Sequence, residues 1–203
     1  MAEYKTIIFD LSEVLISGLL FFEKEFSRDY GVPADSIFAA FGGEIMQDYF
    51  RGMISEDEYL RIVIEKSSWP VSLPALKKLL RKNYQYRLPG MQPILDYLKK
   101  DHELVLLSDH GREWVAFILQ EHPFLSVFDK KFFSFEIDGL KRYPETFEKL
   151  LKALHRKSAE CLFIDDMERN CEAARSVGID AIRFTSAEDL VKDLHLRGIP
   201  LPA

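Results

Sequence analysis

Apolar residues fall into two rhythms along this chain. Five short runs rich in β-branched, aliphatic and aromatic residues, Thr6–Phe9, Leu104–Leu107, Lys131–Phe133, Leu162–Ile164 and Ala181–Phe184, read as core strands. Between the later runs the rhythm changes. Pro93–Lys100, Glu113–Gln120, Pro144–Leu154, Arg169–Val177 and Ala187–Leu196 place apolar residues three or four apart, the spacing of one helix face. Strand alternating with helix predicts an α/β fold with a doubly wound parallel sheet covered on both faces.

One stretch breaks the alternation. From Leu15 to Leu88 there is no strand pattern, and Phe21–Tyr30, Ala34–Phe41, Glu44–Arg51, Ser55–Glu65 and Leu73–Tyr86 all have helical spacing. Ser55 with Glu58 three residues on has the form of a capping box, and Pro33, Pro70, Pro74 and Pro89 punctuate the segment. The expected organisation is a core of residues 1–16 and 89–203 and an all-helical insertion of residues 17–88 standing over the carboxyl edge of the sheet as a cap. Ser17-Gly18 and Leu88-Pro89-Gly90 are its expected hinges. Leu20, Phe21, Phe22, Phe41, Met46, Tyr49, Phe50 and Met53 make that insertion rich in large apolar side chains.

Charge and composition narrow the partners. A net charge of −6 argues against general binding to nucleic acid or to an anionic membrane surface, since both need a basic face. No apolar run approaches the roughly 18 residues needed to span a bilayer. The first residues have no signal-peptide organisation, so the expected setting is cytoplasmic. The two cysteines, Cys161 and Cys171, lack zinc-ligand spacing and do not suggest a disulfide framework. Nothing here distinguishes a monomer from a homodimer.

The chemistry lies where the strands end. Asp10 follows Thr6–Phe9, Ser108 follows Leu104–Leu107, and Asp165-Asp166 follow Leu162–Ile164. Open α/β sheets place ligands at the carboxyl ends of their strands. Each residue alone reads as a cap: Asp10 as a turn or helix cap, Ser108 as a helix cap, Asp165-Asp166 as a cap favoured by the helix dipole. Lys141 alone reads as a solvated loop charge. Together they form the inventory of phosphoryl transfer: an anionic nucleophile, cations that screen it from an anionic phosphate, and a hydroxyl for a phosphate oxygen. Asp10 and Asp166 brought side by side would repel unless a hard divalent cation, usually Mg²⁺, lay between them.

These motifs resemble the haloacid dehalogenase superfamily along nearly the whole chain, in its phosphatase-like branch with a helical cap after the first strand. The matching segments are Ile7-Ile8-Phe9-Asp10-Leu11-Ser12-Glu13-Val14, Leu106-Leu107-Ser108, Gly139-Leu140-Lys141 with Pro144-Glu145-Thr146-Phe147, and Phe163-Ile164-Asp165-Asp166-Met167-Glu168-Arg169-Asn170 with Ala173-Ala174 and Gly178-Ile179. The resemblance implies a Rossmann-like core and a Mg²⁺-dependent phosphatase acting on a small phosphorylated metabolite. It implies Asp10 as the nucleophile that becomes an aspartyl-phosphate. It implies Asp10, Asp166 and the Ser12 carbonyl as metal ligands, with Asp165 supporting the metal site. It implies Ser108 and Lys141 as phosphate-holding catalytic residues, with Asp109 beside them at the substrate.

The chain departs from that pattern in two places. Ser12 stands where most phosphatases of the superfamily carry a second aspartate that protonates the leaving group. Arg142 and Tyr143 replace the usual Pro and Asp after the lysine. Glu13, Asp109 and His110 are the nearby candidates for the missing acid. Two alternatives therefore stand beside the phosphatase: a disabled phosphatase serving as a binding or regulatory protein, and a dehalogenase, with which the intact Asp165-Asp166 pair fits poorly.

Overall fold

The computed structural model describes residues 4–19 and 22–201. In chain order the elements are β1 (Thr6–Phe9), α1 (Phe22–Tyr30), α2 (Ala34–Phe41), α3 (Glu44–Phe50), α4 (Glu56–Ser67), α5 (Leu73–Asn83), α6 (Met91–Leu98), β2 (Glu103–Ser108), α7 (Arg112–Glu121), β3 (Lys130–Phe133), α8 (Ser134–Ile137), α9 (Pro144–Leu154), β4 (Cys161–Asp165), α10 (Glu168–Ser176), β5 (Asp180–Arg183) and α11 (Ala187–Leu196). The strands form one parallel sheet in the order β3-β2-β1-β4-β5. The α/β, doubly wound architecture expected from the alternation is the one observed.

The sheet forms because its strands are buried on both faces. All four residues of β1 and all five of β4 are buried. Side chains alternate between two cores, as period-two geometry requires. Ile7, Phe9, Leu104, Leu106, Leu162 and Ile164 point to the face that also holds Leu95 and Leu98 of α6, Ile118 of α7 and Leu190 and Leu194 of α11. Ile8, Val105, Leu107 and Phe163 point to the other, against Phe147 and Leu150 of α9 and Ala174 of α10. Each fully buried large apolar side chain contributes roughly 1.5–3 kcal/mol. Cys161 and Cys171 are free thiols within the second core.

Helices α1–α5 lie between β1 and α6. They share an aromatic centre in which the rings of Phe22, Phe26, Phe41 and Trp69 meet at 4.7–5.6 Å. The Ser55 hydroxyl accepts the Glu58 N–H at the start of α4. Phe22, Phe41 and Tyr49 pack inward, Met53 is exposed, and Leu20 and Phe21 lie outside the described residues. Two contacts among several seat this helical stretch on the core. Tyr49 stacks over Gly111, where a Cβ would lie 2.0 Å from the ring, so glycine alone fits. Glu56 of α4, 1% exposed, accepts the Trp114 indole N–H of α7 at 2.7 Å and pairs with Arg81 and Lys77 of α5 at 2.8 and 2.9 Å.

Differences from the sequence reading are local. α6 starts at Met91, two residues early, because Gly90 at φ +81 turns the chain into it; Pro93 falls in the first turn, where its missing N–H costs nothing. The segment before Lys141, read as a loop, opens with the four-residue α8, too short to carry a periodic signal. Among the described residues no helix is long and apolar enough to cross a membrane.

Candidate active site

The sheet order dictates which chain ends meet. β1 lies between β2 and β4, and the winding reverses beside it: β2 and β3 extend one way, β4 and β5 the other. Crevices at such a switch point are where open α/β sheets bind ligands. Phe9 pairs in register with Ile164, so Asp10 emerges beside Asp165, and its N–H donates to the Ile164 carbonyl at 2.9 Å. One carboxylate oxygen each of Asp10, Asp165 and Asp166 lies within 4.8 Å of the others.

Lys141 enters this group from the loop after α8. Its Nζ lies 2.5 Å from Asp10 Oδ1 and 2.7 Å from Asp165 Oδ2. The side chain is only 3% exposed, so the lysine that sequence alone reads as solvated is a buried charge. Burial opposes that charge, but Asp10, Asp165 and Asp109 outweigh it and raise its pKa above the ordinary lysine value. Asp109 pins the lysine's backbone by accepting the Lys141 N–H at 3.1 Å.

The carboxylates are not equivalent. Asp165 is committed: it accepts from the Lys141 ammonium, the Met167 N–H and the Asn170 amide, and it is fully buried. Asp10 and Asp166 face the cavity. Burial pushes Asp10 well above its ordinary range, against the pull of Lys141 and reinforced by Asp165 and Asp166. Burial and the neighbouring Asp165 raise Asp166 to about 6. Burial likewise raises Asp109 to about 6. Lys141 thus leaves the cluster with more negative than positive charge.

The donor set is all oxygen, with no thiolate or imidazole among the converging groups, and it suits a hard divalent cation. The turn after β1 leaves one carbonyl outside its own hydrogen bonds. Glu13, at φ +61, reverses the chain, with Leu15 and Ile16 N–H donating to the Leu11 carbonyl and Glu13 N–H to the Ile16 carbonyl. None of these bonds engages the Ser12 carbonyl. Asp10, Asp165 and Asp166 are the groups that converge, with Asp165 paired to Lys141.

Two expected site residues are linked by a third. His110 Nδ1 lies 2.6 Å from Ser108 Oγ, and His110 Nε2 lies 2.9 Å from Ser12 Oγ. Burial lowers the imidazole to about 3, with the Lys141 charge adding to the effect, so the ring is neutral at pH 7. Its two nitrogens then take opposite roles, one donating and one accepting. Ser108 is fully buried and does not line the cavity, whereas His110 does. In this structure the Ser108 hydroxyl is paired with the imidazole.

The cavity measures about 550 Å³. Its lining combines the charged Asp10, Glu13, Asp109, Lys141, Arg142, Asp166 and Arg169 with Leu19, Phe38, Met46, Phe50, Tyr84 and Trp114. The sequence reading missed Asn170, which holds Asp165. Its signal was present: it is the polar residue in the first turn of α10, five positions after the committed aspartate.

Comparison with known proteins shows the family and the fold. The profile of the family described as haloacid dehalogenase-like hydrolase matches residues 7–184. Flavin mononucleotide hydrolase 1 of Arabidopsis thaliana is 25% identical over 194 residues, 95% of this chain and 77% of that protein. The D-ribitol-5-phosphate phosphatase of Bacteroides thetaiotaomicron is 27% identical over 109 residues, 49% of this chain and 53% of that protein. A solved HAD family enzyme from Bacteroides thetaiotaomicron, in complex with magnesium and inorganic phosphate, superposes with a TM-score of 0.69 at 21% identity, covering 90% of this chain and 95% of that one.

Proposed function

The chain belongs to the haloacid dehalogenase-like hydrolases, and from that premise we propose that it is a Mg²⁺-dependent phosphatase that cleaves a small phosphorylated metabolite through an aspartyl-phosphate on Asp10. The observation that carries this reading is the convergence of Asp10, Asp166 and Lys141 in one cavity. A phosphatase needs an anionic nucleophile held against an anionic substrate, and that requires surplus positive charge supplied locally. Two relatives with phosphate-ester substrates in their names support the substrate class.

Each residue then has a task. Asp10 attacks phosphorus, and the ester oxygen leaves with the alcohol. Lys141 neutralises charge on Asp10 and on the phosphate. Asp10, Asp166 and the Ser12 carbonyl hold magnesium, which when bound supplies positive charge against the phosphate oxygens. Asp165 and Asn170 fix the direction of Lys141. Ser108 fixes the His110 ring, and that ring fixes the Ser12 hydroxyl. Asp109, with a pKa of about 6, is the cavity carboxyl best matched to protonate the departing alcohol near neutral pH. Residues 17–88 act as a cap that excludes water until the intermediate has formed.

The test is phosphate release from an aryl phosphate with and without Mg²⁺. Metal-dependent release that disappears in Asp10→Asn supports the reading. No release from the wild type, with activity appearing in Ser12→Asp, supports the disabled protein instead. Halide release from small halo-acids without metal supports the dehalogenase.

A further inference from the structure

The cavity is much larger than a phosphate, and its lining is part charged and part apolar. About 550 Å³ is the size of pockets that enclose whole metabolites. The charged part is built mainly by the sheet edge. The apolar part comes mainly from α2, α3 and the residues just after β1.

Three features point to an occupant for the apolar part. First, α2 buries Ile37 and Phe41 in the helical centre but turns Phe38 to the cavity, 37% exposed. Second, Met167 stands in the lining from the other side, on the loop between β4 and α10, 39% exposed. Phe38 and Met167 thus add two partly exposed apolar side chains to a lining that already holds Leu19, Met46 and Phe50, a surface that an apolar group would cover favourably. Third, the chain between α2 and α3 is Gly42-Gly43, and a Cβ at Gly43 would meet nothing within 4 Å, so backbone alone bounds that gap. The uncharged polar side chains of the lining are Ser12, Gln47, Tyr84 and Asn170: Ser12 lies against His110, Gln47 Oε1 accepts from the Tyr143 hydroxyl at 3.3 Å, Asn170 donates to Asp165, and the buried Tyr84 hydroxyl is the one with no hydrogen-bond partner among them. A site built for hydroxyl groups needs matching donors and acceptors, because unpaired ones are costly.

We propose that the substrate is a phosphomonoester whose alcohol carries a ring-sized apolar group, held between Phe38, Met46 and Phe50 on one side and Met167 on the other. This rests on the phosphatase reading and adds to it the chemical class of the leaving group.

The experiment compares three primary alkyl esters of similar intrinsic reactivity, assayed with Mg²⁺: 4-phenylbutyl phosphate, butyl phosphate and ribitol 5-phosphate. The expected kcat/KM for the phenylbutyl ester is at least about tenfold above both others, the value of burying a ring. Phe38→Ala and Met167→Ala alter exposed positions, so folding is not at stake. Each is expected to cut the phenylbutyl-to-butyl ratio roughly three- to tenfold, through KM. Ribitol 5-phosphate equal to or better than the phenylbutyl ester overturns the inference and leaves the phosphatase intact. A ratio unmoved in both variants does the same. Hydrolysis of none of the three overturns the phosphatase reading itself, and the inference with it.

Discussion

Two buried ionic clusters lie in this molecule and are built in opposite ways. Where helices α4 and α5 meet α7, the buried carboxylate Glu56 meets two cations, Arg81 and Lys77, the latter shared with the exposed Asp57, and the indole N–H of Trp114. At the sheet edge, one buried cation, Lys141, faces Asp10, Asp165, Asp109 and Asp166. The first cluster has more donors than its carboxylate needs. The second has carboxylates whose charge burial disfavours, with Asp109 and Asp166 raised to about 6. A saturated buried cluster holds elements together. A cluster left with excess charge is costly to keep in the folded state, and it is kept where chemistry uses it.

The contrast is broken most severely at Asp10. Asp10→Asn is expected to cut phosphate release by at least about 10⁴-fold, with the thermal midpoint unchanged or raised; steady-state kinetics and calorimetry read both. At the other cluster the signs reverse. Glu56→Ala leaves Arg81 and the Trp114 indole without their shared acceptor, while Lys77 keeps Asp57, and stability is expected to fall by roughly 1–3 kcal/mol in denaturant unfolding.

Asp166→Asn sharpens the comparison through pH. A carboxylate whose folded pKa lies above its unfolded value holds its proton more tightly when folded, so its ionisation costs stability. That cost is absent below about pH 4 and complete above about pH 6. Asp166→Asn is therefore expected to stabilise the metal-free protein at pH 7 by roughly 1–2 kcal/mol, after allowance for solvent screening. The gain should vanish at pH 4 in paired unfolding curves. The same protons compete with metal. Magnesium affinity measured by calorimetry is expected to fall by up to about tenfold per pH unit below about pH 6, and to be largely lost in Asp166→Asn. The smallest effect is expected at His110. His110→Leu removes the bridge between Ser12 and Ser108 and should lower kcat roughly tenfold, with the melting curve as the control for packing.

The difference between the clusters also explains what was legible in the sequence. Asp10 and the Asp165-Asp166 pair were readable because each follows a continuous apolar run, and burial on both faces makes such runs strands. The alternation of strand and helix predicted a parallel, doubly wound sheet, whereas the order of its strands came only with the structure. Lys141 was readable as part of a motif, but its burial was not, since that depends on Asp165 being turned toward it by Asn170. The exchange between Ser108 and His110 was hidden for a similar reason: side-chain direction at the end of β2 is set by a neighbour two residues on. The Glu56 cluster left no signal. Glu56 reads as an ordinary acidic residue in the first turn of a helix, and its partners Lys77, Arg81 and Trp114 belong to two other elements.

The most direct test of the account is a single turnover quenched in acid, followed by mass spectrometry of the peptide that contains Asp10. A phosphoryl group on Asp10 that forms with Mg²⁺ and substrate and decays at the rate of phosphate release is the predicted result. Turnover with that peptide unmodified throughout, or with the phosphoryl group on another residue, would contradict it.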